Sequence, residues 1–136
     1  MRLLMACLTA LSLMLPAPTP AGAQEEPIQG TIQSQIDAFL ADDFDTAFTF
    51  ASPTIKSMFG TAENFGAMVR NGYPMVHRPK DVRMGELWND EGLLWQRVFV
   101  TDAQGRGHVL DYQMIQTAEG WKINGVYLLR ADDVGV

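Results

Sequence analysis

Cysteine is almost missing from this sequence. The only one among the 136 residues is Cys7. Without a second cysteine the chain has no intrachain disulfide, so the fold must be stabilised by packing. Cys7 follows only Met1–Ala6, a stretch too short to engage an export machinery, and we therefore do not interpret it as a lipidation site.

Basic residues and chemical motifs are scarce as well. Ten Lys and Arg stand against 16 Asp and Glu, a net charge of -6. Nucleic acid is not expected as a partner, because phosphate neutralisation needs a basic face. His77 and His108 are the only histidines and lack a zinc-type spacing, so we expect no metal and no cofactor. GxSxG, P-loop, GxGxxG, HExxH and CxxC patterns are also missing, which removes the commonest enzyme classes.

The sequence also lacks an apolar run of membrane-spanning length. Leu3–Leu15 is apolar almost throughout, but it is shorter than the roughly 20 residues of a membrane-spanning helix. Arg2 precedes it, and a proline-rich stretch followed by Ala21-Gly22-Ala23 ends it. This pattern is typical of a signal peptide cleaved after Ala23. We expect a periplasmic or secreted protein without a stable membrane anchor.

The remaining chain is predicted to be one domain. Apolar residues make up 47% of the sequence, enough for a hydrophobic core. We expect a signal peptide at 1–23, a short polar tether at 24–27, a single α+β domain at 28–131 and a tail at 132–136.

The first half of that domain has helical signals. Ile32, Ile36, Phe39 and Leu40 share one face of a predicted first helix. Asp42 is the predicted cap of a second helix. Two further segments carry start and stop signals: Ser52-Pro53 with Gly60, then Thr61 with Asn71-Gly72. The stretch 73–80 contains two prolines and is predicted to be a loop or a short edge strand.

The second half reads as four strands joined by short turns, which predicts antiparallel neighbours. The approximate ranges are 81–88, 93–102, 108–117 and 121–130, and we interpret Asn124-Gly125 as a bulge within the last strand. Pairing Thr101 with His108 defines two sheet faces. One face combines Trp95, Arg97 and Phe99 with Leu110, Tyr112 and Met114; the other combines Leu94, Gln96, Val98 and Val100 with Val109, Asp111, Gln113 and Ile115.

Several short motifs resemble a known family. They are Phe50-Ala51-Ser52-Pro53-Thr54-Ile55, Phe59-Gly60, Gly72-Tyr73-Pro74, Arg78-Pro79, Gln96-Arg97-Val98 and Gly120-Trp121. They are similar to a bacterial domain-of-unknown-function family, numbered 4864, within the nuclear-transport-factor-two-like superfamily. The resemblance implies N-terminal helices packed on a curved C-terminal antiparallel four-stranded meander, a cone that ordinarily encloses a pocket. It implies no catalytic set, since the superfamily includes isomerases, dehydratases, cyclases, carriers and interaction modules.

Three functions stay open. The first is a non-catalytic module that binds a small apolar ligand, with Trp95, Arg97, Phe99, Leu110, Tyr112 and Met114 as the lining. The second is a cofactor-free isomerase or dehydratase in which Asp111, among valines, is the general base. The structural alternative for Asp111 is an ion pair with a basic side chain at the sheet surface. For Arg97, the alternative to binding a ligand is packing on aromatic rings. The third is a homodimer through the sheet face that contains Leu94, Val98, Val100, Val109 and Ile115.

Overall fold

The computed structural model describes residues 22–130, and it confirms a helical half followed by a strand half. Of the predicted signal peptide at 1–23, residues 1–21 lie outside the described part of the chain, as does the predicted tail at 132–136. The described elements are α1 (Gly22–Leu40), α2 (Phe44–Thr49), α3 (Pro53–Phe59), α4 (Ala62–Gly72), α5 (Pro74–His77), β1 (Asp81–Asp90), β2 (Leu93–Thr101), β3 (Gly107–Thr117) and β4 (Gly120–Leu129).

The first helix, α1, carries one continuous apolar stripe. Ile28, Ile32, Ile36 and Phe39 recur at helical spacing and are all buried. Leu40 was predicted to share this stripe, but it lies off the buried face and is 45% exposed. The segment predicted as a tether, 24–27, lies within this helix. No helix in residues 22–130 is both long and apolar enough to cross a membrane.

The next three helices begin at residues whose side chains cap them. Ser52 and Thr61 accept backbone N–H groups of Ile55 and Asn64, which confirms both predicted starts. The cap of α2 is Asp43 and not Asp42, because Asp42 has a positive φ of 56° in the turn before the helix. Gly60 ends α3 at φ 76°, a conformation that favours glycine.

The segment predicted as a loop or edge strand contains the short helix α5. Pro74 occupies its first turn, where a missing N–H costs nothing. The side chain of Val76, in the same helix, is buried. Asp42 holds this helix to the end of α1, with its carboxylate 2.9 Å from His77 Nε2 and 2.7 Å from Arg78 Nη2. These bonds account for the position of Asp42 outside the cap.

The strands form one antiparallel sheet in the order β1-β2-β3-β4, as predicted. The register of β3 with β4 shifts at one place, where Gln113 pairs with Gly125 but Met114 pairs with Ile123. Asn124 is the additional residue, which confirms the predicted bulge. A second irregularity follows Met84 in β1, and the buried Gln96 side chain supports it by donating to the carbonyl of Gly85.

The predicted register of β2 with β3 was wrong by one residue. Thr101 pairs with Gly107, not His108. The connection closes earlier because Asp102 Oδ1 accepts the N–H groups of Gln104 and Arg106. In an antiparallel pair a shift of one residue changes which side chains share a face. The inner face therefore combines Leu94, Gln96, Val98 and Val100 with Leu110, Tyr112 and Met114.

The hydrophobic core lies between this inner face and the helices. Its strand side chains are Val98, Val100, Leu110, Tyr112, Met114 and Ile123, and each is less than 5% exposed. The stripe of α1 and the inner sides of α4 and α5 pack against them. The curved sheet and its helical cover thus form the predicted two-layer α+β domain.

Candidate functional site

A cavity of about 210 Å³ lies between the helices and the inner face of β3 and β4. Its position follows from the sheet curvature, which leaves space under the helical layer. The lining residues are Gln35, Phe39, Ala51, Ile55, Met58, Phe59, Phe65, Met68, Val69, Tyr73, Val76, Tyr112, Ile123, Gly125 and Val126. Nearly all of the lining is therefore aliphatic or aromatic.

The wall formed by α3 and α4 places the cavity close to the surface. Ile55, Met58 and Phe59 of α3 line it, yet none of the residues of α3 is buried. Met58 is 69% exposed. Because one side chain both lines the cavity and contacts solvent, the cavity reaches the surface beside α3.

Two tyrosines are the titratable residues among the described lining. Tyr73 Oη donates a hydrogen bond of 3.0 Å to the carbonyl of Val126. Tyr112 is fully buried, and its Oη has no hydrogen-bond partner among residues 22–130. Burial, with the nearby Tyr73 as a smaller cause, raises the pKa of the Tyr112 phenol far above its ordinary value. Tyr112 is therefore a protonated and unpartnered hydroxyl at physiological pH.

The other polar lining residue is Gln35, which is buried on α1. Its Nε2 donates to the carbonyl of Ala47 at 3.2 Å. This bond joins α1 to α2 and fixes the amide at the edge of the cavity. No Lys, Arg, His, Asp or Glu belongs to the described lining, so the cavity offers no charge to a ligand.

The predicted lining is corrected by the register. Tyr112 lines the cavity, whereas Leu110 and Met114 share its face but belong to the closed core. Trp95, Arg97 and Phe99 lie on the outer face of the sheet. They pair with Gln113, Asp111 and Val109, whose side chains also face outward.

Asp111, the candidate general base, lies on the outer face and not in the cavity. Arg97 Nε and Nη2 donate to its two carboxylate oxygens at 2.9 and 3.2 Å. This bond raises the pKa of Arg97, which stays charged. Asp111 thus belongs to a two-point ion pair on the outer face of the sheet, where it is 7% exposed. From this position Asp111 cannot take a proton from a ligand under the helices.

Aromatic rings cover part of the outer face around this ion pair. Trp88 and Trp95 stack with ring centroids 6.3 Å apart, and Tyr127 lies 5.4 Å from Trp95. The Arg97 guanidinium lies over Trp88 at 5.2 Å. Arg97 thus both packs on an aromatic ring and binds an acid.

The observed pairing of β2 with β3 also places the residues predicted to form a homodimer surface on two different faces of the sheet. Val109 and Ile115 lie on the outer face, but Leu94, Val98 and Val100 lie on the inner face under the helices. On the outer face Tyr127 is 52% exposed, and Trp95 beside it is half-buried.

The two histidines do not come together as a metal site. His77 Nε2 lies beside Asp42, and His108 Nε2 lies 2.8 Å from Asp102 Oδ2. Within residues 22–130 no group of three or more His, Cys, Asp or Glu is placed to hold a metal ion.

Most of the lining was missed as a site. Phe65, Met68 and Val69 of α4 recur at helical spacing. That spacing predicts a buried face but does not distinguish a filled core from a cavity wall. Val126 gave no separate signal.

The fold and the cavity define this protein as an NTF2-like α+β cone. A crystal structure from Campylobacter jejuni, described as an NTF2-like transpeptidase, has a TM-score of 0.51 and 10% sequence identity, and the similarity covers 71% of this chain and 97% of that one. An NTF-2-like protein of unknown function from Burkholderia xenovorans has a TM-score of 0.45 and 19% identity, over 77% of this chain and 84% of its own. At such identity the likeness of the first structure supports the fold alone.

The chain belongs to the family named Domain of unknown function (DUF4864), whose model matches residues 21–136. This match confirms the resemblance found in the sequence motifs. None of the curated proteins matches the chain.

Proposed function

We propose that this protein is an exported module that binds a small apolar molecule in the cavity between its helices and its sheet. The observation that carries the proposal is the apolar space of about 210 Å³. An engineered cavity of about 150 Å³ lined by aliphatic and aromatic side chains binds benzene. The present cavity is larger and reaches the surface beside α3, so a substituted six-membered ring has both space and a route of entry.

The chemistry of the lining supports binding rather than reaction. The ligand would bury its apolar surface against Phe39, Phe65, Val69 and Ile123, at roughly 25 cal/mol for each Å² removed from water. A protonated phenol is a poor base, and the described lining contains no carboxylate or imidazole. We therefore assign no proton transfer to this site.

Export is the second part of the proposal, and the N-terminal sequence supports it. Arg2, the apolar run that follows and Ala21-Gly22-Ala23 have the order of a signal peptide. Cleavage after Ala23 would leave α1 to begin at Gln24, with its whole buried stripe intact.

Binding is tested by titrating toluene into the purified protein and recording heat or ligand-observed NMR signals. We expect saturable binding at one site. Ala51→Phe and Met68→Trp place bulk in the cavity and should abolish it, whereas Leu93→Trp adds a ring at the exposed start of β2 and should not. Absence of binding by the parent protein, or unchanged binding by both filled variants, would contradict the proposal.

A homodimer through the outer sheet face is a second candidate function. The observation that favours it is the aromatic surface of Trp88, Trp95 and Tyr127, of which Tyr127 is the most exposed. Light scattering over a range of concentrations tests it, with Tyr127→Lys as the disrupting variant and Lys122→Glu as a control of altered charge on the same strand. A monomer at all concentrations would exclude this candidate.

A further inference from the structure

The Tyr112 hydroxyl is the most unusual polar group in the described structure. It is the only buried side-chain oxygen or nitrogen among residues 22–130 that lacks a hydrogen-bond partner. Buried polar groups are paired in the great majority of cases, because an unpaired one keeps the cost of losing its water. A phenylalanine would fill the same place on β3 without this cost. The hydroxyl therefore indicates a partner that comes from outside the protein.

The cavity offers space for this missing partner. Tyr112 stands on the inner face of β3 and lines the cavity together with the other phenol, Tyr73. The nearby Val126 carbonyl already accepts the hydroxyl of Tyr73. The Tyr112 hydroxyl is thus left without an acceptor in the described structure, and Tyr112 lines a space that can hold one.

The same surroundings limit the charge of the ligand. An ionised carboxylate or ammonium group is strongly disfavoured in an apolar site unless a counter-charge pairs with it. The described lining contains no Lys, Arg, His, Asp or Glu, and burial raises the pKa of the Tyr112 phenol, which stays protonated. A ligand that could only donate would also leave the phenol hydrogen without an acceptor.

We infer that the cavity selects an uncharged molecule, of about the size of one substituted six-membered ring, that carries a carbonyl-type oxygen, and that Tyr112 Oη donates the bond that determines this specificity. The inference rests on the proposed ligand-binding function. It adds the chemical class of the ligand to that proposal.

Three probes of nearly equal shape test the inference. Acetophenone carries the carbonyl oxygen, α-methylstyrene replaces this oxygen with a methylene group, and benzoate carries a charge. Each Kd is measured by titration with the parent protein, with Tyr112→Phe and with Tyr73→Phe. Since the ketone loses more hydration than the alkene on entering the cavity, the informative quantity is the change in the ketone-to-alkene Kd ratio between proteins.

We expect Tyr112→Phe to weaken acetophenone by about 3- to 10-fold, the net effect of one neutral hydrogen bond, and to leave α-methylstyrene within about twofold. Tyr73→Phe should change both ligands equally, because its hydroxyl bonds to the backbone. Benzoate should bind none of the three proteins measurably.

The results separate the two proposals. If α-methylstyrene binds but Tyr112→Phe leaves the ketone-to-alkene ratio unchanged, the hydroxyl does not read the ligand and the inference is overturned, while the ligand-binding function stands. Benzoate binding as tightly as acetophenone overturns it too. If neither neutral probe binds the parent protein, the ligand-binding function and the inference fail together.

Discussion

Tyr73 and Tyr112 line one cavity, yet only one of them has a hydrogen-bond partner. The two hydroxyls can therefore be compared within one site. A buried hydroxyl that bonds to protein stabilises the fold, whereas one without a partner contributes the cost of desolvation and no compensating bond. The two residues should therefore respond differently to the same chemical change.

We expect Tyr112→Phe to leave the free energy of unfolding of the ligand-free protein within about 0.5 kcal/mol of the parent, or to raise it. Tyr73→Phe should lower it by about 1 kcal/mol, because the carbonyl of Val126 loses its donor. Urea unfolding at neutral pH measures both. A loss of more than about 1 kcal/mol in Tyr112→Phe would show that a bound water or another group already satisfies the hydroxyl.

Asp102 gives a residue-scale prediction about acid. His108, placed 2.8 Å away, is the largest cause that lowers the pKa of this carboxylate, followed by the backbone N–H of Arg106. A carboxylate whose folded pKa is depressed stabilises the protein fully above the unfolded pKa, near 3.9, and this contribution is lost as the pH falls through the folded value.

We therefore expect the melting temperature to fall between about pH 5 and pH 3, and Asp102→Asn to remove part of this fall while lowering the melting temperature at pH 7. The control is Asp90→Asn at the exposed end of β1, which should keep the acid dependence of the parent. An identical acid dependence in Asp102→Asn and the parent protein would contradict the assignment.

At the scale of elements, local signals predicted the helices better than the strand pairing. Ser52-Pro53, Gly60 and Thr61 act within one turn of their own position, so the sequence alone places both ends of α3 and the start of α4. The register of β2 with β3 depends on how Asp102 folds back on Gln104 and Arg106. That contact closes the turn one residue early, and no strand pattern contains it.

Helix α5 shows a second reason why elements were misjudged. Pro74 and Pro79 favour extended residues before them, and this predicted a loop. Pro74 instead begins a helical turn. The end of that turn is held by Asp42, which precedes α2 in the sequence and binds Arg78. A contact between distant parts of the chain decided the local conformation.

The helix that forms the cavity mouth, α3, depends on one capping serine. Ser52 is fully buried, accepts the N–H of Ile55 and donates to Asn124 Oδ1 at 2.8 Å. We expect Ser52→Ala to lower the free energy of unfolding by about 2–3 kcal/mol, since it loses a cap and a buried bond together.

Thr61→Ala is the matched comparison for this helix start. It removes the cap of α4, where the bond to Asn64 is exposed, and should cost only about 1 kcal/mol. Urea unfolding of both variants measures the difference. Equal losses in the free energy of unfolding would mean that the bond from Ser52 to Asn124 contributes nothing to stability.

At the scale of the whole molecule, the order of helices and strands was predictable but the cavity was not. Its lining extends along the chain from Gln35 to Val126. Each segment shows only that one of its sides is buried. Whether those sides meet or leave a space depends on sheet curvature and side-chain volume, which are properties of the assembled layers.

Export concerns the whole chain and has a direct test. Expressed with its N-terminal segment in a bacterium, the protein should be recovered from the periplasm or medium beginning at Gln24, as measured by intact mass. Ala23→Leu should accumulate the uncut form, and Ala10→Leu, within the apolar run, should not. Recovery of the parent protein in the cytosol with residues 1–23 attached would contradict export.

The bulge at Asn124 shifts the inward-outward alternation of side chains along β4. Ile123 and Val126 are three positions apart, yet both point toward the helices, and Tyr127 therefore points away from them. A strand that paired Asn124 as an ordinary residue, without the bulge, would turn its end over. The ring of Tyr127 would then enter the hollow and Val126 would face water, so the bulge keeps the cavity open at its floor.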